Sequence, residues 1–244
     1  MKKILITGAS GGIGRTIAQA LASPDVLLCL HYRRENHQFN ELVELLRKEG
    51  MPPLLFHADF KEQNQIDQMM SSLLNQMGAI DLLINNAGTG YTGLLQEMSH
   101  EQWQDLLQIN LTSVYTTTKW VLPGMIQKKQ GNIINISSIW GVSGASCEVA
   151  YSATKAALIG FSKALASEVG PCGVRVNCIA PGIIETSMNS QYSAAELVSM
   201  AEEIPLQRLG RPEEVASLVR FLASDEASYI TGQCISPNGG LLRI

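Results

Sequence analysis

The sequence predicts an α/β fold: residues 1–244 as a single domain, built on one doubly wound parallel sheet of seven strands with helices on both faces. Three observations predict it. Short apolar, β-branched runs alternate with longer segments of helical period. A glycine cluster, "TGASGGIG", stands between the first such run and the first helical segment. No internal repeat or low-complexity linker breaks the alternation, and 244 residues that are 45% hydrophobic suffice for one large core.

In chain order, the strands are expected at "KILI" (3–6), "VLLCLHY" (26–32), "PLLFHA" (53–58), "LLIN" (82–85), "NIINIS" (132–137), "RVNCIA" (175–180) and "CIS" (234–236). Between them, "IGRTIAQALA", "FNELVELLRKEG", "QIDQMMSSLLNQMG", the run from Glu101 to Gln127 and "ATKAALIGFSKALASEVG" carry apolar residues at helical spacing. Several of these segments end in glycine, a frequent C-cap. One long irregular stretch is expected, from about Gly182 to Pro212. Loops of that length are usually functional, lids over active sites among them. In open parallel sheets ligands bind beyond the carboxyl ends of the strands, and the motifs below fall there.

Composition excludes several functions. A net charge of -4 with 16% charged residues leaves no basic stripe to neutralise a phosphate backbone, so no nucleic-acid partner is expected. The five cysteines are odd in number and form no C-x-x-C pair, which argues against a disulfide framework or zinc knuckle and suits a reducing cytoplasm. The four histidines are scattered, and no carboxylate or histidine spacing matches a metal site. In "MKKILITGAS" the apolar run turns glycine-rich too soon for a signal peptide. No stretch approaches the roughly 20 apolar residues that span a bilayer. A soluble, cytoplasmic protein is the expectation.

"TGASGGIG", Thr7 to Gly14, has the strand-glycines-helix context of a dinucleotide site. Glycines permit the tight turn and the approach of backbone N–H groups to a pyrophosphate, and the helix N-terminus adds partial positive charge. The ribose normally meets the end of the second strand, where an acid selects NAD. Here "LHYRRENH" places no acid at Leu30 to Tyr32, and Arg33 and Arg34 follow. A guanidinium suits a 2'-phosphate, so NADP(H) is predicted, with Arg33 the leading candidate and Arg15 a helper. Alternatively, the two arginines only solvate a strand end.

Two segments, "YSATK" (151–155) and "YTTTK" (115–119), place a tyrosine and a lysine four residues apart on one helical face. Reduction of a ketone needs a proton for the developing alkoxide; a tyrosine can supply it, and a nearby ammonium stabilises the phenolate needed in reverse. Position separates the candidates. Tyr151 begins a helix after the fifth strand, with Ser138 at that strand's carboxyl end. Tyr115 lies within a helical segment with no such serine upstream, and "YTTTK" reads as packing.

The pattern T-G-x-x-x-G-x-G, "NNAG" (85–88), a serine ending the fifth strand, Y-x-x-x-K, and "PG" after the sixth strand resembles the classical short-chain dehydrogenase/reductase family over essentially the whole chain. That resemblance implies a Rossmann-like sheet and a tetrad of Asn110, Ser138, Tyr151 and Lys155, with Asn110 bending its helix and fixing a water that links Lys155 to solvent. It implies cofactor contacts from Gly8, Ser10, Gly12, Ile13, Gly14, Arg33, Asp59 (adenine), Asn85, Gly88, Tyr151, Lys155, Pro181, Ile184 and Thr186. Ser137 is expected to line the cofactor, although a swap of roles with Ser138 stays open. A homotetramer or homodimer is implied as well.

The core motifs and the ending "RLGRPEEVASLVRFLASDEASYITGQCISPNGG" look most like bacterial 3-oxoacyl-acyl-carrier-protein reductases. Those dock an acidic carrier on basic residues, for which Lys128 and Lys129 stand available, although Cys172 occupies a position that is often basic. The segment "WGVSGASCEVAY" departs from that pattern and resembles the subgroup that reduces a 5-aminopentanone group on elongation factor P. Glu148 there suits a cationic substrate, or else it is a solvated helix-start residue. Trp140 either walls the pocket or packs beneath it. Cys147 has no histidine partner motif for nucleophilic catalysis. A dinucleotide-sensing scaffold without turnover is the alternative of another class.

Overall fold

The computed structural model describes residues 1–186 and 192–243. Strands β1 (Lys2–Ile6), β2 (Val26–Tyr32), β3 (Leu54–His57), β4 (Leu82–Asn85), β5 (Gly131–Ile136), β6 (Val174–Ile179) and β7 (Cys234–Ile235) form one parallel sheet in the order β3-β2-β1-β4-β5-β6-β7. Each matches a run expected from sequence to within a residue or so. Every residue of β5 is buried, as a central parallel strand covered on both faces requires.

Alternation along the strands sorts the core into two layers. Ile4, Ile6, Leu28, Leu30, Leu82 and Ile84 face α1 (Gly12–Leu21), α2 (His37–Lys48) and a C-terminal helix, Pro212–Ala223. Leu5, Cys29, Leu83, Ile133 and Val176 face α3 (Gln63–Met77) and two helices described next. The chain runs outward from β1 to β3 and then returns to β4, so the connections leaving β1 and β4 diverge and open a crevice at their carboxyl ends.

The helical run expected from Glu101 to Gln127 is not uniform. It consists of α4 (His100–Leu107), a wide π-turn over Gln108–Thr112, and α5 (Ser113–Lys128). After β5 come a short α6 (Trp140–Ser143) and the long α7 (Val149–Val169).

The stretch from Gly182 to Pro212 was expected to be irregular, and this is corrected. It holds α8 (Ala194–Glu203), started by a capping box in which Ser193 and Glu196 satisfy each other's backbone N–H groups. Residues 187–191 of that stretch lie outside the described residues. The C-terminal helix Pro212–Ala223, α9, packs on α1.

Candidate active site

The glycine turn after β1 is held by side chains from β4's exit. Asn86 donates from Nδ2 to the carbonyls of Thr7 at 3.0 Å and Gly8 at 3.1 Å, and the Thr7 hydroxyl accepts the Asn86 and Ala87 amides at 3.0 Å each. Gly8 has φ +66°, and a Cβ on it would lie 2.8 Å from Ala87 Cα; a Cβ on Gly14 would lie 2.3 Å from the Gly8 oxygen. Neither position admits a side chain. The N-cap of α1, Gly11, makes no side-chain bond to the helix, so the first amides of α1 are left for an anionic ligand.

From this turn a cavity of about 670 Å³ runs to Tyr151. Its size and its glycine-lined end fit a nicotinamide dinucleotide. Gly8, Ser10, Gly12, Ile13 and Gly14 line one end, with Arg33 and Asp59 beside them. Gly88, Ser137, Pro181, Ile184 and Thr186 also line it, Thr186 against Gly12, where its Cγ2 would lie 3.1 Å from an added Cβ. Arg15, the expected helper, is not among the lining residues, and its buried Nε has no hydrogen-bond partner among the described residues.

Asn85 is the exception among the expected cofactor residues. It ends β4 on the same face as Leu83, toward α5, where it bonds Thr117 Oγ1, Thr118 Oγ1 and Asn135 Oδ1 in the core at 2.8, 3.3 and 2.9 Å. The groove is lined by its neighbour Asn86 instead. Strand alternation decides the matter: successive side chains point to opposite faces.

At the chemical end, α7 presents Tyr151 and Lys155 one turn apart, both buried. Ser138, just past β5, lines the cavity with Tyr151 and accepts the Trp140 amide at 3.2 Å, and the Ser137 hydroxyl is spent on the Lys155 carbonyl at 2.7 Å. Both serines line the cavity. Lys155 Nζ lies 5.7 Å from the Tyr151 ring centre and donates to the Ile136 carbonyl at 3.0 Å. Burial lowers the lysine to about 8 and raises the tyrosine to about 12; the Ser138 hydroxyl opposes the latter and Glu148 adds to it. Desolvation thus dominates the phenol, and the expected lowering by the ammonium is not among its causes here.

Asn110 is no surface residue. Fully buried in the π-turn, it accepts the Thr89 amide at 2.8 Å, and its Nδ2 donates to the Thr89 carbonyl at 2.9 Å and the Thr154 hydroxyl at 3.1 Å. Asn110 Oδ1 and Lys155 Nζ would each lie 3.3 Å from a Cβ placed on Gly88. The four predicted residues therefore converge around one end of the cavity. A family model described as "Enoyl-(Acyl carrier protein) reductase" matches residues 8–242. The chain belongs to the short-chain dehydrogenase/reductase family. An uncharacterized oxidoreductase of Bacillus subtilis, YmfI, is 44% identical over 240 residues, 98% of each chain. The 3-oxoacyl-[acyl-carrier-protein] reductase FabG of Staphylococcus epidermidis is 38% identical over 98% of each chain. That of Vibrio cholerae is 39% identical over 100% of this chain and 98% of its own.

In this short-chain dehydrogenase/reductase the cavity is also lined by Thr92, Trp140, Glu148, Tyr192 and Met200. Trp140 lines the pocket and also packs with Leu106, Ala150 and Tyr151, so both readings of it hold. Glu148 is the N-cap of α7 yet makes no side-chain cap bond, and burial raises its carboxyl above the usual range. The preceding Cys147, at φ 59°, accepts the Gly93 amide at 2.8 Å and so ties the two rim loops together.

Sequence reasoning missed Tyr192 and Met200, which arrive with α8; the signal was the Ser193 to Glu196 capping spacing. "YTTTK" also differs from expectation. Thr116 to Thr118 are buried, but Tyr115 is half exposed, with Lys119 Nζ 5.7 Å above its ring. The pair is a surface contact of α5. Among the described residues no group of three potential metal ligands occurs, and no helix is long and apolar enough to cross a membrane.

Proposed function

We propose that this chain is an NADP(H)-dependent reductase that converts a ketone to a secondary alcohol, the ketone being a 3-oxoacyl thioester on acyl carrier protein. One observation carries the chemistry: Ser138, Tyr151 and Lys155 stand together in the lining of the cavity that begins at the glycine turn. The cofactor, when bound, supplies hydride. Ser138 orients the carbonyl, Tyr151 protonates the developing alkoxide, and Lys155, one helical turn away, stands ready to stabilise the phenolate that this leaves. Asn110 holds the Gly88–Thr89 wall against α7. Arg33 and Arg15 are the partners proposed for a 2'-phosphate. The names of the FabG relatives support a carrier-bound substrate. A single 1–244 domain in a cytoplasmic homotetramer or homodimer completes this reading.

A second reading rests on Glu148. A half-buried carboxylate with no cation paired to it among the described residues suits a substrate that brings its own ammonium. The basic docking residues of a carrier reductase are also compromised, because Lys128 Nζ is paired with Asp81 at 2.8 Å. Both observations favour reduction of an amine-bearing ketone such as the 5-aminopentanone group on elongation factor P.

NADPH oxidation with an acetoacetyl thioester and with the aminopentanone-modified factor, run side by side, separates the two. Turnover of the thioester alone supports the first reading and turnover of the factor alone the second. Tyr151→Phe should lower either rate by about 10²–10⁴-fold. Binding of the dinucleotide with no ketone-dependent oxidation would instead point to a sensing scaffold.

A further inference from the structure

His31 is a buried side chain that the chemistry above leaves unused. It lies near the end of β2, 2% exposed, and stacks flat on Phe60 with ring centres 3.9 Å apart and 6° between planes. Both ring nitrogens are engaged. Nδ1 faces the Gly8 amide at 3.1 Å, and Nε2 faces the Ala58 carbonyl at 3.0 Å. An amide N–H requires an acceptor and a carbonyl requires a donor, so the ring is the neutral Nε2–H tautomer. Burial favours the same state, lowering the imidazole to about 4; His57 reinforces this and Asp59 opposes it.

The contacts join the two halves of the cofactor end. The backbone carbonyl of His31 accepts the Ala9 amide at 2.8 Å, so this one residue grips two consecutive amides of the glycine turn. Its other face reaches Ala58, and the next two residues, Asp59 and Phe60, line the cavity. Asn86 secures the carbonyl of Gly8 from the opposite side. With the Gly8 and Ala9 amides occupied, the amides at the start of α1 are the ones presented to a phosphate.

We propose that His31 is a positioning residue for the dinucleotide, tying the first glycine of the phosphate-binding turn to the exit of β3 so that the pyrophosphate and adenine ends of the site are set before the cofactor arrives. This rests on the dinucleotide reading of the same cavity. Pre-setting lowers the ordering cost of binding, so its loss falls on cofactor affinity.

Three substitutions separate the two ring nitrogens. His31→Asn keeps an acceptor within reach of Gly8, His31→Gln keeps a donor within reach of Ala58, and His31→Phe keeps only the stack on Phe60. The Kd for NADPH and for NADH, from fluorescence titration of each purified variant, is read beside its thermal midpoint without cofactor. His31→Gln and His31→Phe should bind about tenfold more weakly, the size expected for one unsatisfied buried amide, while His31→Asn stays within about threefold of the parent. In turnover the loss should appear in KM for the cofactor, with kcat changed by less than about twofold. Equal Kd values for the parent and all variants, or losses that follow the thermal midpoint regardless of the acceptor at Gly8, would overturn the assignment. A parent that binds neither dinucleotide would overturn the cofactor reading along with it.

Discussion

Asn110 and Thr89 are hydrogen-bonded to each other twice: the Thr89 amide donates to Asn110 Oδ1 at 2.8 Å, and Asn110 Nδ2 donates to the Thr89 carbonyl at 2.9 Å. The clamp fixes the loop after β4 against the π-turn and, through Thr154, against the helix that carries Tyr151 and Lys155. Asn110→Ala leaves the half-buried Thr89 amide and carbonyl without their partner, while the Thr154 hydroxyl keeps its bond to the Tyr151 carbonyl. It should cost about 1–3 kcal/mol in urea unfolding. Displacement of the wall should lower kcat by about 10²-fold. An unchanged kcat in a destabilised variant would reduce Asn110 to a structural role.

Lys155 makes stability depend on pH. Its ammonium falls from 10.5 to about 8 on burial. Between those values the unfolded chain holds a proton that the folded chain lacks, so stability rises with pH through that window and the gain is complete above it. The difference corresponds to about 3 kcal/mol at 1.36 kcal/mol per pH unit. Tyr151 acts oppositely between 10 and about 12, where the folded chain retains the proton that the unfolded chain loses. Urea midpoints of the parent and Lys155→Met at pH 7 and pH 10 isolate the lysine. The parent should gain on the variant at the higher pH, and a constant gap would contradict the buried-ammonium argument.

Arg33 stands at the cofactor end with no acid at the tip of β2. Arg33→Ala should raise KM for NADPH by about tenfold or more, the worth of a charge-assisted bond, and leave KM for NADH nearly as it was. A parent enzyme that prefers NADH would remove the basis for this assignment.

Glu148→Gln keeps the shape of the pocket rim and removes its charge. With an amine-bearing ketone, kcat/KM should fall by about tenfold or more, while a neutral ketone of the same length should be turned over as well as before or slightly better. The second effect follows because the carboxylate raises the Tyr151 phenol. Equal losses on both ketones would mean that Glu148 shapes the rim without reading charge.

Much of this was legible beforehand because it is local. The ends of β2 and β4, the glycine turn and the i,i+4 spacing of Tyr151 and Lys155 depend on residues close in sequence. The choice between Asn85 and Asn86 was not legible. It turns on which face of β4 the last side chain takes, and on Thr117, Thr118 and Asn135 waiting there from two other elements. Nor did the spacing of Tyr115 and Lys119 reveal that this face of α5 looks outward.

By itself, then, the amino-acid sequence determined the order of strands and helices, the backbone freedom of the glycine turn and the types of residue at the chemical end, since periodicity and steric limits act over a few residues. Only the tertiary structure decided that desolvation, rather than the lysine's charge, sets Tyr151, that the Glu148 side chain lines the cavity with no ion-pair partner among the described residues, and that His31 bridges Gly8 and Ala58. Burial and partnership at these positions are properties of elements far apart in the chain, brought together by the crossover at the centre of the sheet.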